Sequence, residues 1–229
     1  MIVVLCGKKR SGKTESSEII MNADLGFSSF ALGDHVKETL EEAAEKSDSI
    51  MLRKYVVARK CLREGDRDRT FLVIDNGAVK ALFYSGVRIL ADKGFIDCDM
   101  KQKCVEALSK VWDNEELWTP RRLMQVFATD IVCHAIDDSV FVRMAIDRSL
   151  RTPNVENILI TDCRQPHEYK YLRTLGAKFI FIERDTGMFD KHYSEQGILP
   201  SDGDTVIINN GTLAELQENV LNSINEIKK

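Results

Sequence analysis

A chain of 229 residues has room for one α/β domain with a substantial core, or for one domain carrying a large insertion. It is 44% hydrophobic and 30% charged, as ordinary soluble globular proteins are, and 32 Lys and Arg against 36 Asp and Glu leave a net charge of −4. That balance argues against bulk attraction to nucleic acid or to a membrane surface, so cations have to be read where they cluster.

The six cysteines form no C-x-x-C pair and no tight group with histidine, which argues against a zinc site. The opening MIVVLCGKK has too short an apolar run for a secretory signal, and no stretch reaches the length of a membrane span. A soluble, cytoplasmic protein is expected.

In chain order, IVVLC (2–6) is a continuously apolar, β-rich run of the kind a buried parallel strand shows. Residues 13–22 read as a helix with Ile19 and Ile20 on one side. FSSFAL (27–32) reads as a second strand, and Gly33-Asp34 as a turn whose Asp34 caps a helix over HVKETLEEAAEK. Residues 34–155 carry helical patterns, with only a weak apolar run near TFLVID (70–75). The clearest pattern is WTPRRLMQVFATDIVCHAID (118–137), where Thr119 is placed as N-cap, Pro120 as first helical residue, and Leu123, Phe127 and Ile131 on the core face. His134, on this mostly apolar helix, reads as a core residue.

Strand-like runs return at NILIT (157–161), AKFIFIE (177–183) and TVIINN (205–210), with a helix over 166–176 closed by Gly176. The chain ends in an amphipathic helix capped by Thr212. Strands alternating with helices predict an α/β fold: a five-stranded parallel sheet flanked by helices, of P-loop NTPase type. Residues 1–33 and 156–229 form the predicted core. Residues 34–155, about 120 residues, are too many for a plain connection and form a mostly helical insertion between strands 2 and 3.

Between the first strand and the first helix stands GKKRSGKT (7–14), which fits G-x-x-x-x-G-K-[ST]. Gly7 and Gly12 let the backbone turn its N–H groups toward phosphates, helped by the positive end of the following helix. Lys13 reaches the β- and γ-phosphates, and the Thr14 hydroxyl suits Mg²⁺. The ATP-binding stretch is thus Gly7, Arg10, Ser11, Gly12, Lys13, Thr14 and Glu15. Asp162, ending an apolar strand, reads as the second acidic group near Mg²⁺, or else as the cap of the 166–176 helix.

Several cations sit where the helix dipole disfavours them: Lys37 after Asp34, and Arg121-Arg122 after Pro120. Arg122, Gln125 and Thr129 share a helical face, with Arg121 lying over Gln125. This is either a second anion site, joined by Arg69 and Arg164, or a solvated face with arginine paired to Glu115 or Glu116. Two anion sites point to two phosphate-bearing substrates, with Arg10 placed to contact both. A phosphate acceptor needs no general base, because its second pKa is near 6. The loop 185–204, which contains His192, suits either a lid or a structural loop.

GKKRSGK, RRLMQVFATD, DCRQPHE (162–168) and DGDTVIINNGTLAEL (202–216), with DRDR (66–69), resemble the deoxynucleoside monophosphate kinases of tailed bacteriophages. The resemblance implies transfer of the ATP γ-phosphate to dGMP, dTMP or a modified dCMP, with Mg²⁺ as cofactor. It implies catalytic roles for Lys13, Arg10, Asp162 and Arg164, and adenine packing at Asn210 and Gly211. It places the acceptor on Lys9, Lys37, Arg69, Arg121, Arg122, Gln125, Thr129, Asp130, Asp162, Arg164 and Glu168. Metal contacts fall to Thr14 and Asp162. Lys8 matches nothing in the pattern and reads as surface charge. The alternatives are another small P-loop kinase, acting on a sugar, shikimate or dephospho-coenzyme A, or an ATP-binding interaction protein. A homodimer stays open.

Overall fold

The computed structural model describes residues 1–8, 10–185 and 198–229, apart from the Lys110 side chain. Lys9, His192 and most of the expected lid therefore lie outside the described residues. Five strands form one all-parallel sheet: β1 (Ile2–Cys6), β2 (Phe27–Phe30), β3 (Asn157–Ile160), β4 (Lys178–Glu183) and β5 (Thr205–Ile208), in the order β2-β3-β1-β4-β5. Val4 of central β1 pairs with Ile160 on one side and Phe179 on the other. Val3 to Cys6 are fully buried, which is why this strand reads as an unbroken apolar run.

The chain divides into two compact units, Met1–Leu32 with Ala145–Lys229, and Gly33–Met144. The first holds the sheet with α1 (Lys13–Asn22), α8 (Pro166–Thr174) and α9 (Leu213–Ile227). Its core joins Val3, Leu5, Ile180 and Ile182 of the sheet to Ile20 of α1 and Leu216, Val220 and Ile224 of α9. The four-residue spacing of the α9 residues keeps them on one stripe. Thr212 caps α9 by accepting from the Glu215 N–H, as expected.

Among the described residues, the segment between β2 and β3 contains helices and no strand. The α-helices are α2 (Leu32–Glu45), α3 (Ile50–Leu52), α4 (Asn76–Asp92), α5 (Cys98–Ala107), α6 (Pro120–Gln125) and α7 (Val140–Arg151), with a π-helical stretch at Arg53–Ala58 and a 3-10 turn at Leu108–Val111. Their core includes Phe83, Leu90, Leu123, Phe127 and Ile131. The Phe83 and Phe127 rings pack at 5.5 Å, and a Cβ at Gly86 would intrude within 3.0 Å of the Phe127 ring, so this glycine admits the aromatic pair. The TFLVID run forms no strand. Leu72 instead donates its N–H to the Trp118 carbonyl (2.8 Å), in a unit with no sheet to join.

Two local expectations are corrected. Helix α2 starts at Leu32, so Asp34 lies inside its first turn instead of capping it; the Leu32 N–H is taken by the Asp162 carboxylate at 2.7 Å. Past Gln125, α6 widens into a π-helical stretch, Val126–Cys133, in which the His134 N–H reaches back to the Thr129 carbonyl. The wider turns keep Phe127 and Ile131 buried but bring His134 outward, with its side chain 63% exposed instead of in the core. No helix among the described residues is long and apolar enough to cross a membrane.

Candidate active site

The loop after β1 is shaped by its backbone. A Cβ at Gly7 (φ 141°) would lie within 3.0 Å of the Ile182 carbonyl, so only glycine lets the chain leave β1 flush against β4. Gly12 (φ 108°) opens α1 with no side-chain cap, which leaves the first helical N–H groups to an incoming anion. Lys13 is buried, its ammonium donating to the Gly7 carbonyl (2.5 Å) and the Lys8 carbonyl (2.6 Å). Its positive charge is thus held inside the loop. Thr14 and Glu15 are exposed in the first turn of α1, and Arg10 is exposed with φ 65°, a left-handed conformation. Ser11 is buried, and its N–H donates to the Lys8 carbonyl (3.2 Å).

Beside this loop lies a cavity of about 360 Å³ lined by Gly7, Lys8, Ile182, Ile198, Leu199, Ile208 and Asn210, among others. Its apolar residues (Phe181, Ile182, Ile198, Leu199 and Ile208) stand beside the polar Lys8, Glu183, Arg184, Asp185 and Asn210, a mixture that can take a heterocyclic base. Asn210, one of the two residues expected at adenine, is on its wall and accepts from the Asp185 N–H (3.3 Å). Gly211 instead lines a separate hollow of about 440 Å³ with Thr212 and Glu215. Lys8, read from sequence as surface charge, is exposed and also lines this cavity. Asn209 went unassigned. It is buried, and its side-chain amide donates to the Ser11 carbonyl at 2.8 Å. The doublet Asn209-Asn210 after an apolar strand was the available signal.

The loop after β3 lies next to the phosphate loop in strand order, since β3 and β1 are neighbours. Asp162 caps α2, not α8. Glu168, in the first turn of α8, accepts from the N–H groups of Arg164 (2.8 Å) and Gln165 (2.9 Å), which ties the 162–165 turn together. Burial pushes the Glu168 carboxyl up to about 7, against the pull of both N–H donors and with the Asp162 charge adding to the rise.

In the second unit, Arg122 is held on several sides. It donates to the Glu116 carboxylate and to the Asn114 side-chain carbonyl (2.5 Å), and stacks over the Trp118 ring at 5.5 Å. Trp118 Nε1–H and Asn114 in turn bond to Asn76. Arg122 shares a cavity of about 470 Å³ with Val126, Asp130 and His134 along its helical wall, and with Asp113, Asn114, Glu115, Glu116 and Trp118. A four-residue step overshoots a turn in an α-helix and falls short in a π-helix, so this mixed helix keeps positions 122, 126, 130 and 134 aligned. Gln125 and Thr129 are half-buried and do not line that wall.

Arg121 pairs with Asp68 and donates its backbone N–H to the Arg67 carbonyl (3.0 Å), which joins the start of α6 to the 66–69 turn. Asp66 folds that turn by accepting from the N–H groups of Asp68 and Arg69 (both 3.1 Å), and leaves Arg69 exposed. Lys37 belongs to a different cluster and pairs with Asp34 (2.8 Å), which also lies 3.7 Å from Arg63.

A family model described as deoxynucleotide monophosphate kinase matches residues 1–220 of the chain. The chain is 30% identical, over 240 residues, to the deoxynucleotide monophosphate kinase of Escherichia phage RB69, covering 96% of this chain and 97% of that one. To the protein of the same name from Enterobacteria phage T4 it is 27% identical over 240 residues, covering 97% and 98%.

Proposed function

The chain belongs to the deoxynucleotide monophosphate kinase family, and we propose that it transfers the γ-phosphate of ATP to the phosphate of dGMP, dTMP or a modified dCMP, giving ADP and the deoxynucleoside diphosphate. The observation that carries this reading is the uncapped, glycine-shaped loop of residues 7–14 beside a base-sized cavity that shares Gly7 and Lys8 with it. ATP lies with its base against Asn210 and its phosphates on Gly7, Arg10, Ser11, Gly12, Lys13, Thr14 and Glu15.

The Lys13 ammonium exchanges the Gly7 and Lys8 carbonyls for phosphate oxygens, so a charge already desolvated and positioned meets the triphosphate. An oxygen of the acceptor phosphate, dianionic at neutral pH, attacks the γ-phosphorus as the bond to the β–γ bridging oxygen breaks, and ADP leaves with that electron pair. No general base is needed. Arg10 and Arg164 neutralise charge on the transferring group. The acceptor is assigned, as the resemblance implies, to Lys9, Lys37, Arg69, Arg121, Arg122, Gln125, Thr129, Asp130, Asp162, Arg164 and Glu168.

The exposed Thr14 hydroxyl and the Asp162 carboxylate are the hard oxygen donors Mg²⁺ prefers, and they fit it. One Asp162 oxygen takes the Leu32 N–H, and the carboxylate would hold the ion directly or through water. Mg²⁺, when bound, supplies charge neutralisation of the β- and γ-phosphates. We assign the reaction to the cytosol of the host cell, a reading supported by the phage origin of the relatives.

The test is a coupled ADP assay with Mg²⁺ and ATP across a panel of deoxy- and ribonucleoside monophosphates. ADP formation that depends on an added deoxynucleoside monophosphate is expected. Turnover with a sugar and with no nucleotide acceptor sinks the reading.

A further inference from the structure

We infer that Asn209 is a positioning residue for phosphoryl transfer: its side-chain amide fixes the Ser11–Gly12 peptide so that the Gly12 N–H is presented to the triphosphate. The inference rests on the reading that the 7–14 loop holds ATP.

Asn209 follows directly on β5. Its own N–H donates to the Glu183 carbonyl at 2.7 Å, which extends the β4–β5 pairing by one residue and fixes the side chain's base. From there Nδ2 donates to the Ser11 carbonyl at 2.8 Å, with Asn209 only 8% exposed. A carbonyl can only accept, so the amide NH₂ is the group this contact requires. The Ser11–Gly12 peptide is trans, and in a trans peptide the C=O and the following N–H point in opposite directions. Holding the Ser11 oxygen toward β5 therefore turns the Gly12 N–H away from it, as a donor set before the anion arrives. A donor oriented in advance costs no reorganisation at the moment of reaction.

Gly12 is fitted to the same contact. A Cβ there would fall within 3.0 Å of Asn209 Nδ2, so the glycine admits the amide as well as the left-handed turn. Successive side chains at a strand end alternate in direction. Asn209 accordingly serves the phosphate loop while Asn210 lines the base cavity, and one strand end sets both ends of the nucleotide site.

Asn209→Leu and Asn209→Asp keep the volume and remove the donor. For either we expect the ATP KM to rise and kcat to fall, each by about tenfold, with the acceptor KM within about twofold of wild type. Affinity for adenosine, which carries the base without phosphates, should stay unchanged in calorimetric titration. Wild-type KM and kcat in these variants would overturn the inference. So would equal losses of ATP and adenosine affinity, which would mean general damage to the strand end.

Should both variants fail to fold, the ¹⁵N–¹H signal of Gly12 in the intact wild-type chain decides. It should move on adding ATP and not on adding adenosine, and a signal indifferent to ATP overturns the inference. If that signal responds while the wild type makes no ADP with any nucleotide, the kinase reading fails, and what stands is that the Gly12 N–H is presented to a triphosphate.

Discussion

The phosphate loop and the Arg122 cavity are the two places where the sequence gathers cations, but they are made from different material. In the first, the recognition surface is backbone: two glycines in left-handed conformations, an uncapped helix start, and one lysine folded onto the loop's own carbonyls. In the second, the surface is side chains, and Arg122 keeps its place through Glu116, Asn114 and Trp118, themselves braced by Asn76. A backbone site tolerates change in most side chains but in almost no glycine. A side-chain site is open to tuning, because each prop can be exchanged.

The sharpest way to break this contrast is Lys13→Ala, the one side chain on which the backbone site depends. We expect kcat to fall about 10³-fold with thermal stability nearly unchanged, and a fall of less than about tenfold would remove the loop from the chemistry. Next comes Arg122→Ala. Loss of charge-assisted bonds to an anion predicts an acceptor KM raised about 100-fold while the ATP KM moves less than about twofold. Equal shifts in the two constants would mean that the two regions do not serve separate substrates.

Asn114→Ala then asks whether the props matter apart from the arginine they hold. Loss of one bond predicts about a tenfold rise in acceptor KM, measured in the same coupled assay, and no change for ATP. An unchanged acceptor KM would reduce the Asn76–Asn114–Trp118 network to packing.

The smallest effect concerns a side chain in the first unit, Glu168. Its carboxyl is raised from 4.5 to about 7 in the fold, so the folded state binds the proton more tightly than the unfolded chain. The stability linked to that proton is full below pH 4.5 and is lost as the pH rises through about 7. Urea midpoints should decline across this window in the wild type and stay flatter in Glu168→Gln, which keeps an oxygen for the Arg164 and Gln165 N–H groups. Parallel curves for the two proteins would show that Glu168 is not the group titrating.

Much of the first unit could be read along the chain. The apolar runs gave all five strands, Thr212 marked the start of α9 as Thr119 did for α6 in the second unit, and GKKRSGKT marked the loop between β1 and α1. These features are local, since a glycine's freedom, a cap and a strand's burial on both faces each leave their mark within a few residues. The wall shared by Arg122 and Asp130 was less legible. An α-helical period of 3.6 groups Arg122 with Gln125 and Thr129, and nothing in VFATDIVC announces that the turns widen there.

The family and the general fold were thus determined by the sequence itself, through short motifs whose spacing the chemistry of phosphate fixes. Tertiary structure decided which groups those motifs meet. Asp162 closes the start of α2 across 130 residues, and Asn209 reaches the Ser11 carbonyl across 198. Both contacts exist because the sheet order sets β3 beside β1 and β2, and β5 beside β4, an arrangement that no local period encodes.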